Sequence, residues 1–431
     1  MSFSSNDFLQ WLNEWTFKNR RDLILTHDIH KYPAMFIPEV VEKIINLYTE
    51  AGDTVLDIFS GSGTTLLESM ILGRKSIGIE LNPLAFLISK VKTTPIDISV
   101  MENGKQNLKG LYYSKFYEKI NFDNIEFWFS PDSIQFLSDL FGSISQIDDC
   151  KFRDLAKVSA SDIIRNISLC KHSGFKMHRD KNKLNKIYTK EEIYKIFESS
   201  LNKNIEKIKE LNLELSDKSY YAPEFYNMDS RYLNKNINEE SVDLIVTSPP
   251  YGDSKTTVAY GQFSRLSSQF LNLNSISGTP IARLDNELLG GKKSSPLQEA
   301  TLIKNSITMK NIIELFKLRG ENGNDKKNEK RLSDIVCFYY DLFMCLKNSH
   351  KYLKKDKFFV LVTASRIVHD IKLHTDIIIS ELANSIGFKL KNIHYRDIPN
   401  KRMPSQVSAT NIKGEVTPTM TNESIIILKK I

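Results

Sequence analysis

Residues 52–83 read GDTVLDIFSGSGTTLLESMILGRKSIGIELNP, and their pattern indicates which kind of fold to expect. Runs of β-favouring apolar residues predict strands over Thr54–Ile58 and Lys75–Glu80. A glycine-rich turn follows the first strand, and a helix is predicted over Thr64–Leu72. Strand, helix and strand in this order form a βαβ unit, in which the two strands lie parallel in one sheet.

The rest of the chain repeats this alternation of strand-like and helical segments. Strand patterns occur near residues 54, 76, 222, 244, 358, 389 and 425. A helix is predicted from Pro38 to about Tyr48, and helical patterns lie between most of the strands. The alternation predicts an α/β fold built on a doubly wound sheet with these seven strands.

Two longer segments interrupt the pattern. Residues 95–215 are rich in Lys, Asn, Glu and Ile at helical spacing and predict a mainly helical insertion, whereas residues 253–330 predict an irregular insertion. The sheet is therefore expected to form from residues 1–94, which hold the cofactor half, and from residues 216–431, which hold the catalytic half.

The composition narrows the class of protein. The 431 residues include 59 Lys and Arg against 52 Asp and Glu, which gives a formal net charge of +7. This charge favours a polyanionic partner, although a lysine-covered surface has the same sign. No apolar run reaches about 18 residues and no export signal is present, so a cytoplasmic protein is expected. Four Cys without a C-x-x-C pair predict reduced thiols and no metal site.

The turn after the first predicted strand has the features of a nucleotide site, because ligands of an open parallel sheet bind at the carboxyl ends of its strands. Gly61 and Gly63 permit a tight turn, and the helix that begins at Thr64 offers free N–H groups to an anion. Glu80 ends the next strand, and its carboxylate can accept hydrogen bonds from both hydroxyls of a ribose. An ordinary glycine-lined connection with a surface acid is the competing interpretation.

A second unusual stretch is SVDLIVTSPPYG, residues 241–252, where a buried strand ends at a serine, two prolines and a tyrosine. A strand-ending turn would explain Pro-Pro alone. However, DIFSGSGTT at 57–65 together with TSPPYG at 247–252 resembles the S-adenosylmethionine-dependent DNA amino-methyltransferases. Their cofactor loop has the form F-x-G-x-G, and their catalytic motif is Ser, Asn or Asp before Pro-Pro and an aromatic residue. The serine form is similar to the cytosine-N4 branch.

This resemblance implies a Rossmann-like, seven-stranded methyltransferase sheet with S-adenosylmethionine as cofactor. KYPAMFIPEVV at 31–41 is similar to the family's N-terminal cofactor motif, and NMDS at 227–230 is similar to its third-strand motif, whose acid would meet the adenine amino group. Three further segments resemble one bacterial subgroup: residues 251–266, 289–291 and 398–404. The implied cofactor-binding residues are Tyr32, Pro33, Phe36, Asp57, Phe59, Ser60, Gly61, Gly63, Thr64, Thr65, Glu80, Asn82 and Asp229.

The chemistry implied by the resemblance gives each residue of the second motif a role. An exocyclic amine is a poor nucleophile because its lone pair is delocalised into the ring, so it must be held by hydrogen-bond acceptors. Ser248 Oγ and the Pro249 carbonyl can accept from the amine, while Pro249 and Pro250 hold the backbone rigid. Tyr251 offers a flat face to a base swung out of the helix. This mechanism requires the turn near Gly61 to lie beside the proline turn.

Base recognition is expected from one of the two insertions, 95–215 or 253–330. The segment RNISLCKHSGFKMHRDK at 165–181 offers four side chains for phosphate or base contact: His172, Lys176, His178 and Arg179. In HYRDIPNKRMP, a second stacking face and two phosphate clamps are expected: Tyr395, Lys401 and Arg402. A solvated helical face and a basic surface turn are the competing interpretations of these two segments.

Taken together, the motifs favour a site-specific DNA methyltransferase acting on the N4 amine of cytosine in double-stranded DNA. Such an enzyme would form the protective half of a restriction–modification system, with a cognate restriction endonuclease that acts on the same site. The alternatives are an adenine-N6 enzyme, an enzyme for a protein glutamine or an RNA base, and a non-catalytic DNA-binding specificity subunit. The paired motifs favour an enzyme, and the long basic insertion favours DNA.

Overall fold

The computed structural model describes most of the chain: residues 15–17, 24–171, 174–253, 257–320, 325–397, 406–407, 417–418 and 422–431. In these segments, no helix combines the length and the apolar character needed to cross a bilayer. The four cysteines are free, with Cys150 exposed and the others buried.

The strands fall into one large sheet and two small pairs. They are β1 (Thr54–Asp57), β2 (Lys75–Glu80), β3 (Glu224–Asn227), β4 (Val242–Thr247), β5 (Leu353–Thr363), β6 (Arg366–Val368), β7 (Ile371–Leu373), β8 (Phe388–Asp397), β9 (Gln406–Val407), β10 (Thr417–Pro418) and β11 (Asn422–Lys430). The large sheet has seven strands in the order β3-β2-β1-β4-β5-β11-β8. β11 is antiparallel to both of its neighbours, and the other adjacent pairs are parallel.

The helices flank this sheet and form a separate bundle. They are α1 (Pro38–Tyr48), α2 (Thr64–Ile71), α3 (Pro83–Lys92), α4 (Ile98–Ser114), α5 (Ile125–Trp128), α6 (Pro131–Ser145), α7 (Cys150–Ile167), α8 (Lys190–Leu215), α9 (Tyr260–Phe270), α10 (Pro296–Asn305), α11 (Ile307–Gly320), α12 (Asp325–Tyr352) and α13 (Thr375–Asn384). Short 3₁₀ helices cover Leu25–Asp28, Lys181–Lys183 and Ile281–Asn286. Proline at the first helical position begins several of them, since its missing N–H has no partner there anyway.

Apolar residues on both faces of the sheet confirm the doubly wound α/β fold. On one face, Val55 and Leu244 pack with α1 through a cluster that includes Val41. On the other face, Leu56 and Ile245 pack with α12 and α13. Consecutive strand residues point to opposite faces, so each buried strand needs apolar side chains at nearly every position.

β1 and β4 are adjacent and parallel, with Val55 opposite Leu244. From β1 the chain winds outward to β2 and β3, and then returns to place β4 and β5 on the other side. The strand order therefore reverses between β1 and β4. A crevice opens at such a point beyond the carboxyl ends of the strands.

The insertion predicted from residue 95 to residue 215 contains α4 to α8, which enclose their own apolar core. Leu84 of α3 and Leu266 of α9 also belong to that core. Helices α3 and α9 thus connect the bundle to the sheet, because each begins next to the loop that follows a sheet strand.

Residues 253–330, predicted as irregular, contain α9, α10 and α11 between loops. The missed signal is a capping box at α10, where Ser295 Oγ accepts from the Gln298 N–H and the Gln298 side chain accepts from the Ser295 N–H. Ser three residues before Gln is a recognised helix start. The helices of this segment therefore had a sequence signature that hydrophobic spacing alone did not reveal.

Candidate active site

A single crevice at the carboxyl ends of β1, β2 and β4 brings together most of the residues predicted for cofactor and catalysis. The predicted cofactor residues that line it are Tyr32, Pro33, Phe36, Asp57, Phe59, Ser60, Gly61, Thr64, Thr65, Glu80, Asn82 and Asp229. Ser248 and Pro250 of the proline turn line it as well. The two turns that the predicted mechanism requires side by side therefore face one cavity.

The glycine turn after β1 depends on backbone conformations that other residues rarely adopt. Gly61 has φ +51° and Gly63 has φ +86°, both in the left-handed region. A Cβ atom on Gly63 would lie 2.5 Å from Ser89 Oγ of α3. Gly63 is not part of the cavity wall, and instead lets α3 pack directly behind the turn.

Glu80 is fixed at the end of β2 by two backbone donors. Its Oε2 accepts from the Gly61 N–H at 2.8 Å, and its Oε1 accepts from the Asn82 N–H at 2.7 Å. Burial raises the pKa of Glu80 to about 7, against these hydrogen bonds, which act to lower it. A carboxylate has about four acceptor positions, so lone pairs remain for the two hydroxyls of a ribose. These free acceptor positions fit the nucleoside part of S-adenosylmethionine.

Asp57 lies beneath the turn, with 2% of its surface exposed. Its carboxylate accepts from the Phe59 N–H at 3.0 Å and from the Thr65 hydroxyl at 2.6 Å. The Thr247 hydroxyl of β4 donates a third hydrogen bond at 2.6 Å. Burial raises the pKa of Asp57 to about 6, and the three donors oppose that rise. Most of the acceptor positions of the Asp57 carboxylate are therefore used to hold the turn in place.

The proline turn after β4 presents its residues in different directions. Ser248 and Pro250 line the crevice, whereas Pro249 is buried and Tyr251 lies outside the cavity wall. The Tyr251 hydroxyl donates to Glu423 Oε1 of β11 at 2.9 Å. Burial, and after it the charge of Glu423, raises the pKa of Tyr251.

An aromatic wall joins the cofactor half to the segment after the proline turn. Tyr32 stacks on Tyr260 of α9 with ring centroids 6.1 Å apart. Asn82 Nδ2 donates to the Tyr32 hydroxyl at 3.0 Å and to Ser264 Oγ at 2.8 Å. Tyr260 lines the crevice. It was not among the predicted site residues, although it lies in the segment 251–266 whose resemblance to a family subgroup was the available signal.

Arg231 organises the side of the crevice that contains Asp229. Its guanidinium contacts Asp229 Oδ2 at 2.6 Å and Asp341 Oδ2 of α12 at 2.9 Å, and it donates to the Glu287 carbonyl at 2.6 Å. Asp341 Oδ2 also accepts from the Gly290 N–H at 3.0 Å. This network joins the NMDS segment to the LGG segment, whose Leu289 lines the cavity.

The described residues among the predicted DNA contacts lie outside the crevice wall. Lys176 and Arg179 are exposed, and the Arg179 guanidinium lies 4.6 Å from the centre of the Phe127 ring. Tyr395 on β8 is not part of the crevice wall, and its hydroxyl donates to Asp376 Oδ2 at 2.9 Å. His172, Lys401 and Arg402 lie outside the described residues.

The loop that carries Lys176 and Arg179 lies close to the crevice. Arg165 shapes it by donating to the Lys171 and Gly174 carbonyls. The Met177 N–H donates to Gln262 Oε1 of α9 at 3.2 Å, two residues from Tyr260 in the crevice wall. The insertion 95–215 thus has exposed cations near the site. Within the described residues, no group of three or more His, Cys, Asp and Glu is placed to hold a metal ion.

Comparisons with known proteins show the family of this chain. The DNA methylase family matches residues 3–91. The chain is 35% identical to the Type II methyltransferase M.MvaI of Kocuria varians over 455 residues, covering 100% of this chain and 96% of that protein. It is 24% identical to the Type II methyltransferase M.BsoBI of Geobacillus stearothermophilus over 253 residues, covering 52% of this chain and 49% of that protein. A solved SAM-dependent methyltransferase from Methanosarcina mazei matches 90% of this chain and 97% of its own at 10% identity and a TM-score of 0.32.

Proposed function

Because this chain belongs to the type II DNA methyltransferases of restriction–modification systems, we propose that its target is the exocyclic N4 amine of cytosine in double-stranded DNA. Its cofactor is S-adenosylmethionine, which supplies an activated methyl group when bound. The observation that carries the proposal is that Ser248 of the serine-form motif and Glu80 of the cofactor half line the same crevice.

The roles of the cofactor half follow from the donors and acceptors present. We assign Glu80 to the ribose hydroxyls, because its carboxylate keeps free lone pairs and is held rigidly by Gly61 and Asn82. Phe59 and Phe36 offer apolar surface to the adenine ring. Asp229 is assigned to the adenine amino group, which needs an acceptor at that side of the crevice.

The catalytic half acts on the target amine. We assign Ser248 Oγ and the Pro249 carbonyl as acceptors that favour a tetrahedral amine nitrogen, whose lone pair is then available for direct methyl transfer. The two prolines hold the backbone in this geometry, and because their φ angles are already fixed, little backbone entropy is lost in ordering it. Tyr251 is assigned to the stacking of an extruded base, since chemistry on a paired base requires it to leave the stack.

DNA binding is assigned to the basic loop within 165–181, on the basis of Lys176 and Arg179. Both side chains are exposed, and the loop contacts α9 beside the crevice. Lys and Arg supply the phosphate contacts that dominate affinity for DNA. Lys401 and Arg402 are proposed as further phosphate contacts, with Tyr395 as a second stacking face. The proposed functional partner is a cognate restriction endonuclease for the same site.

The experiment that tests the target base uses purified protein, labelled S-adenosylmethionine and genomic DNA that lacks prior methylation. Digestion to nucleosides and chromatography separate N4-methylcytosine from N6-methyladenine. Label in N4-methylcytosine is the expected result. Label in N6-methyladenine would move the target to adenine, and mapping of the modified positions would give the recognition sequence in either case.

A further inference from the structure

Helix α9 contributes an aromatic side chain to the crevice, although it belongs to the insertion that follows the proline turn. Tyr260 is its first residue and lines the cavity together with the predicted cofactor residues Tyr32, Glu80 and Asn82. The plane of the Tyr260 ring makes an angle of 24° with that of the Tyr32 ring on which it stacks. A residue without a predicted role therefore forms part of the wall on the cofactor side.

The start of α9 is fixed by a carboxylate from a neighbouring element. Asp285, in the 3₁₀ helix Ile281–Asn286, accepts from the Gly261 N–H at Oδ1 and from the Gln262 N–H at Oδ2, both at 3.0 Å. The two elements meet closely, since a Cβ atom on Gly261 would lie 2.7 Å from Asp285 Cγ. Because the first N–H groups of a helix need partners, moving this end would leave two donors unpaired. The backbone at Tyr260 is therefore held in place independently of a ligand.

A second anchor joins α9 to the acid assigned to the ribose. Ser264 Oγ accepts from Asn82 Nδ2 at 2.8 Å, and the Asn82 N–H donates to Glu80 Oε1 at 2.7 Å. Asn82 is buried, so both hydrogen bonds lie in a medium of low dielectric constant, where they are strong. Ser264 follows Tyr260 by one helical turn and lies on the same side of α9. One asparagine thus fixes the position of Tyr260 relative to Glu80.

The hydroxyl of Tyr260 differs from that of its stacking partner. The Tyr32 hydroxyl accepts from Asn82 Nδ2 at 3.0 Å, whereas none of the residues that the structure describes forms a hydrogen bond with the Tyr260 hydroxyl. Burial, and after it the charge of Glu80, raises the pKa of Tyr260, so the hydroxyl stays protonated and keeps a proton to donate. Buried tyrosine hydroxyls usually have a hydrogen-bond partner, and the open space beside this ring is the crevice.

We propose that Tyr260 is a cofactor-binding residue whose hydroxyl forms a hydrogen bond with a ribose hydroxyl of S-adenosylmethionine, beside the hydrogen bonds made by Glu80. A carboxylate offers acceptors alone, whereas a phenol also donates, so the two residues together match hydroxyls that both donate and accept. The inference rests on the assignment of Glu80 to the ribose, and it is independent of the target base. It brings α9, which begins beyond the proline turn, into the cofactor site.

The test is Tyr260→Phe, which removes the hydroxyl and keeps the ring beside Tyr32. Calorimetry uses S-adenosylmethionine and 5′-methylthioadenosine, which retains the nucleoside and lacks the amino acid. Loss of one hydrogen bond should raise the Kd of both ligands by the same factor, about 5- to 10-fold. The unfolding temperature without ligand should stay within about 2 °C of wild type, because no hydrogen bond to a described residue is lost.

A third ligand locates the contact on the sugar. It is the 2′,3′-dideoxy form of 5′-methylthioadenosine, whose Kd should stay within about two-fold of wild type in Tyr260→Phe, because the partner hydroxyls are missing. The matched control is Tyr113→Phe in α4. Tyr113 also packs against a second tyrosine, Tyr112, with ring centroids 5.3 Å apart, but it lies outside the crevice wall. The control should leave the Kd of all three ligands unchanged.

Three results would each overturn the inference. An unchanged Kd for S-adenosylmethionine and 5′-methylthioadenosine would remove Tyr260 from the cofactor site. A loss of affinity confined to S-adenosylmethionine would place the contact at the methionine part, and an equal loss with the dideoxy ligand would place it at the adenine. The proposed function is tested separately, since the modified base reports on the target and Glu80→Gln reports on the ribose acid.

Discussion

The Thr247 hydroxyl lies 2.6 Å from the Asp57 carboxylate, and this hydrogen bond joins the carboxyl end of β4 to the carboxyl end of β1. Thr247 immediately precedes Ser248, and Asp57 also accepts from the Phe59 N–H in the cofactor turn. One buried carboxylate therefore holds the catalytic turn and the cofactor turn at a constant separation. Direct methyl transfer between two bound molecules needs such a separation to be maintained.

Thr247→Val removes one hydroxyl donor from this buried carboxylate, and the free energy of unfolding should fall by about 1–3 kcal/mol near pH 8. The loss should depend on pH. The Asp57 pKa of about 6 lies above its ordinary value, so the stability gained from its protonation is present at low pH and lost as the pH rises through 6. In Thr247→Val the loss of one donor should raise the pKa of Asp57 further. The difference in the free energy of unfolding between the variant and the wild type should therefore shrink towards about pH 5. Urea unfolding at both pH values measures this.

Thr363→Val is the control for that prediction. Thr363 is a buried β5 residue whose hydroxyl has no hydrogen-bond partner among the described residues. The same chemical change should therefore cost no stability at either pH. Equal losses of unfolding free energy in Thr247→Val and Thr363→Val would show that the hydrogen bond from Thr247 to Asp57 does not stabilise the fold.

Glu80→Gln should weaken S-adenosylmethionine binding by about 10- to 100-fold near pH 8, because the amide supplies one acceptor oxygen in place of two. In the wild type, affinity should fall as the pH decreases through about 7, where protonation of Glu80 removes acceptor capacity. Calorimetric titration across this range should give a slope for the wild type and a flat line for the variant. If the wild type and Glu80→Gln showed the same dependence of cofactor affinity on pH, Glu80 would not contact the cofactor.

Gly63→Ala should destabilise the protein more than Gly61→Ala. Both positions have positive φ, which costs an alanine about 1–2 kcal/mol. At Gly63 the new Cβ would also meet Ser89 Oγ at 2.5 Å, whereas at Gly61 the nearest atom is the Phe59 carbonyl oxygen at 3.8 Å. Total losses of about 2–4 and 1–2 kcal/mol are expected in urea unfolding. Equal losses would mean that α3 can move away from the turn.

Ser248→Ala should lower the methylation rate about 100-fold and leave the S-adenosylmethionine Kd within about two-fold of wild type, because it removes an acceptor used by the target amine. The control is Ser241→Ala, just before the amino end of β4, where the hydroxyl donates to the Asn238 carbonyl. The control should retain the wild-type rate. A weakened cofactor affinity in Ser248→Ala would instead place this serine in the cofactor site.

Replacing Lys176 and Arg179 by Ala should weaken DNA binding at every sequence and reduce the slope of log K against log salt by about one per residue. Both are exposed cations on the loop beside α9, so the cofactor Kd should not change. Fluorescence anisotropy with labelled duplex DNA at several salt concentrations measures the slope. Lys218→Ala is the control, since Lys218 lies just before β3, near the amino ends of the strands. An unchanged slope in the double variant would assign these phosphate contacts to other residues.

Sequence patterns predicted three features of the cofactor half: the βαβ unit, the glycine turn and Glu80. Strand and helix periodicity, and the need for glycine where a turn has positive φ, depend on only a few neighbouring residues. The helices within 253–330 were missed, since their apolar positions face two cores formed mainly by other parts of the chain.

The sequence by itself determined the local pieces of this protein: a glycine turn after one buried strand, a rigid serine–proline turn after another, and the family to which both belong. Tertiary structure alone decided that β1 and β4 are neighbours, that Thr247 reaches Asp57 across 190 residues, and that Glu423 lies beside Tyr251. The physical reason is that periodicity and turn chemistry are local. Strand order and the pairing of buried donors with acceptors depend on how distant segments pack into one core.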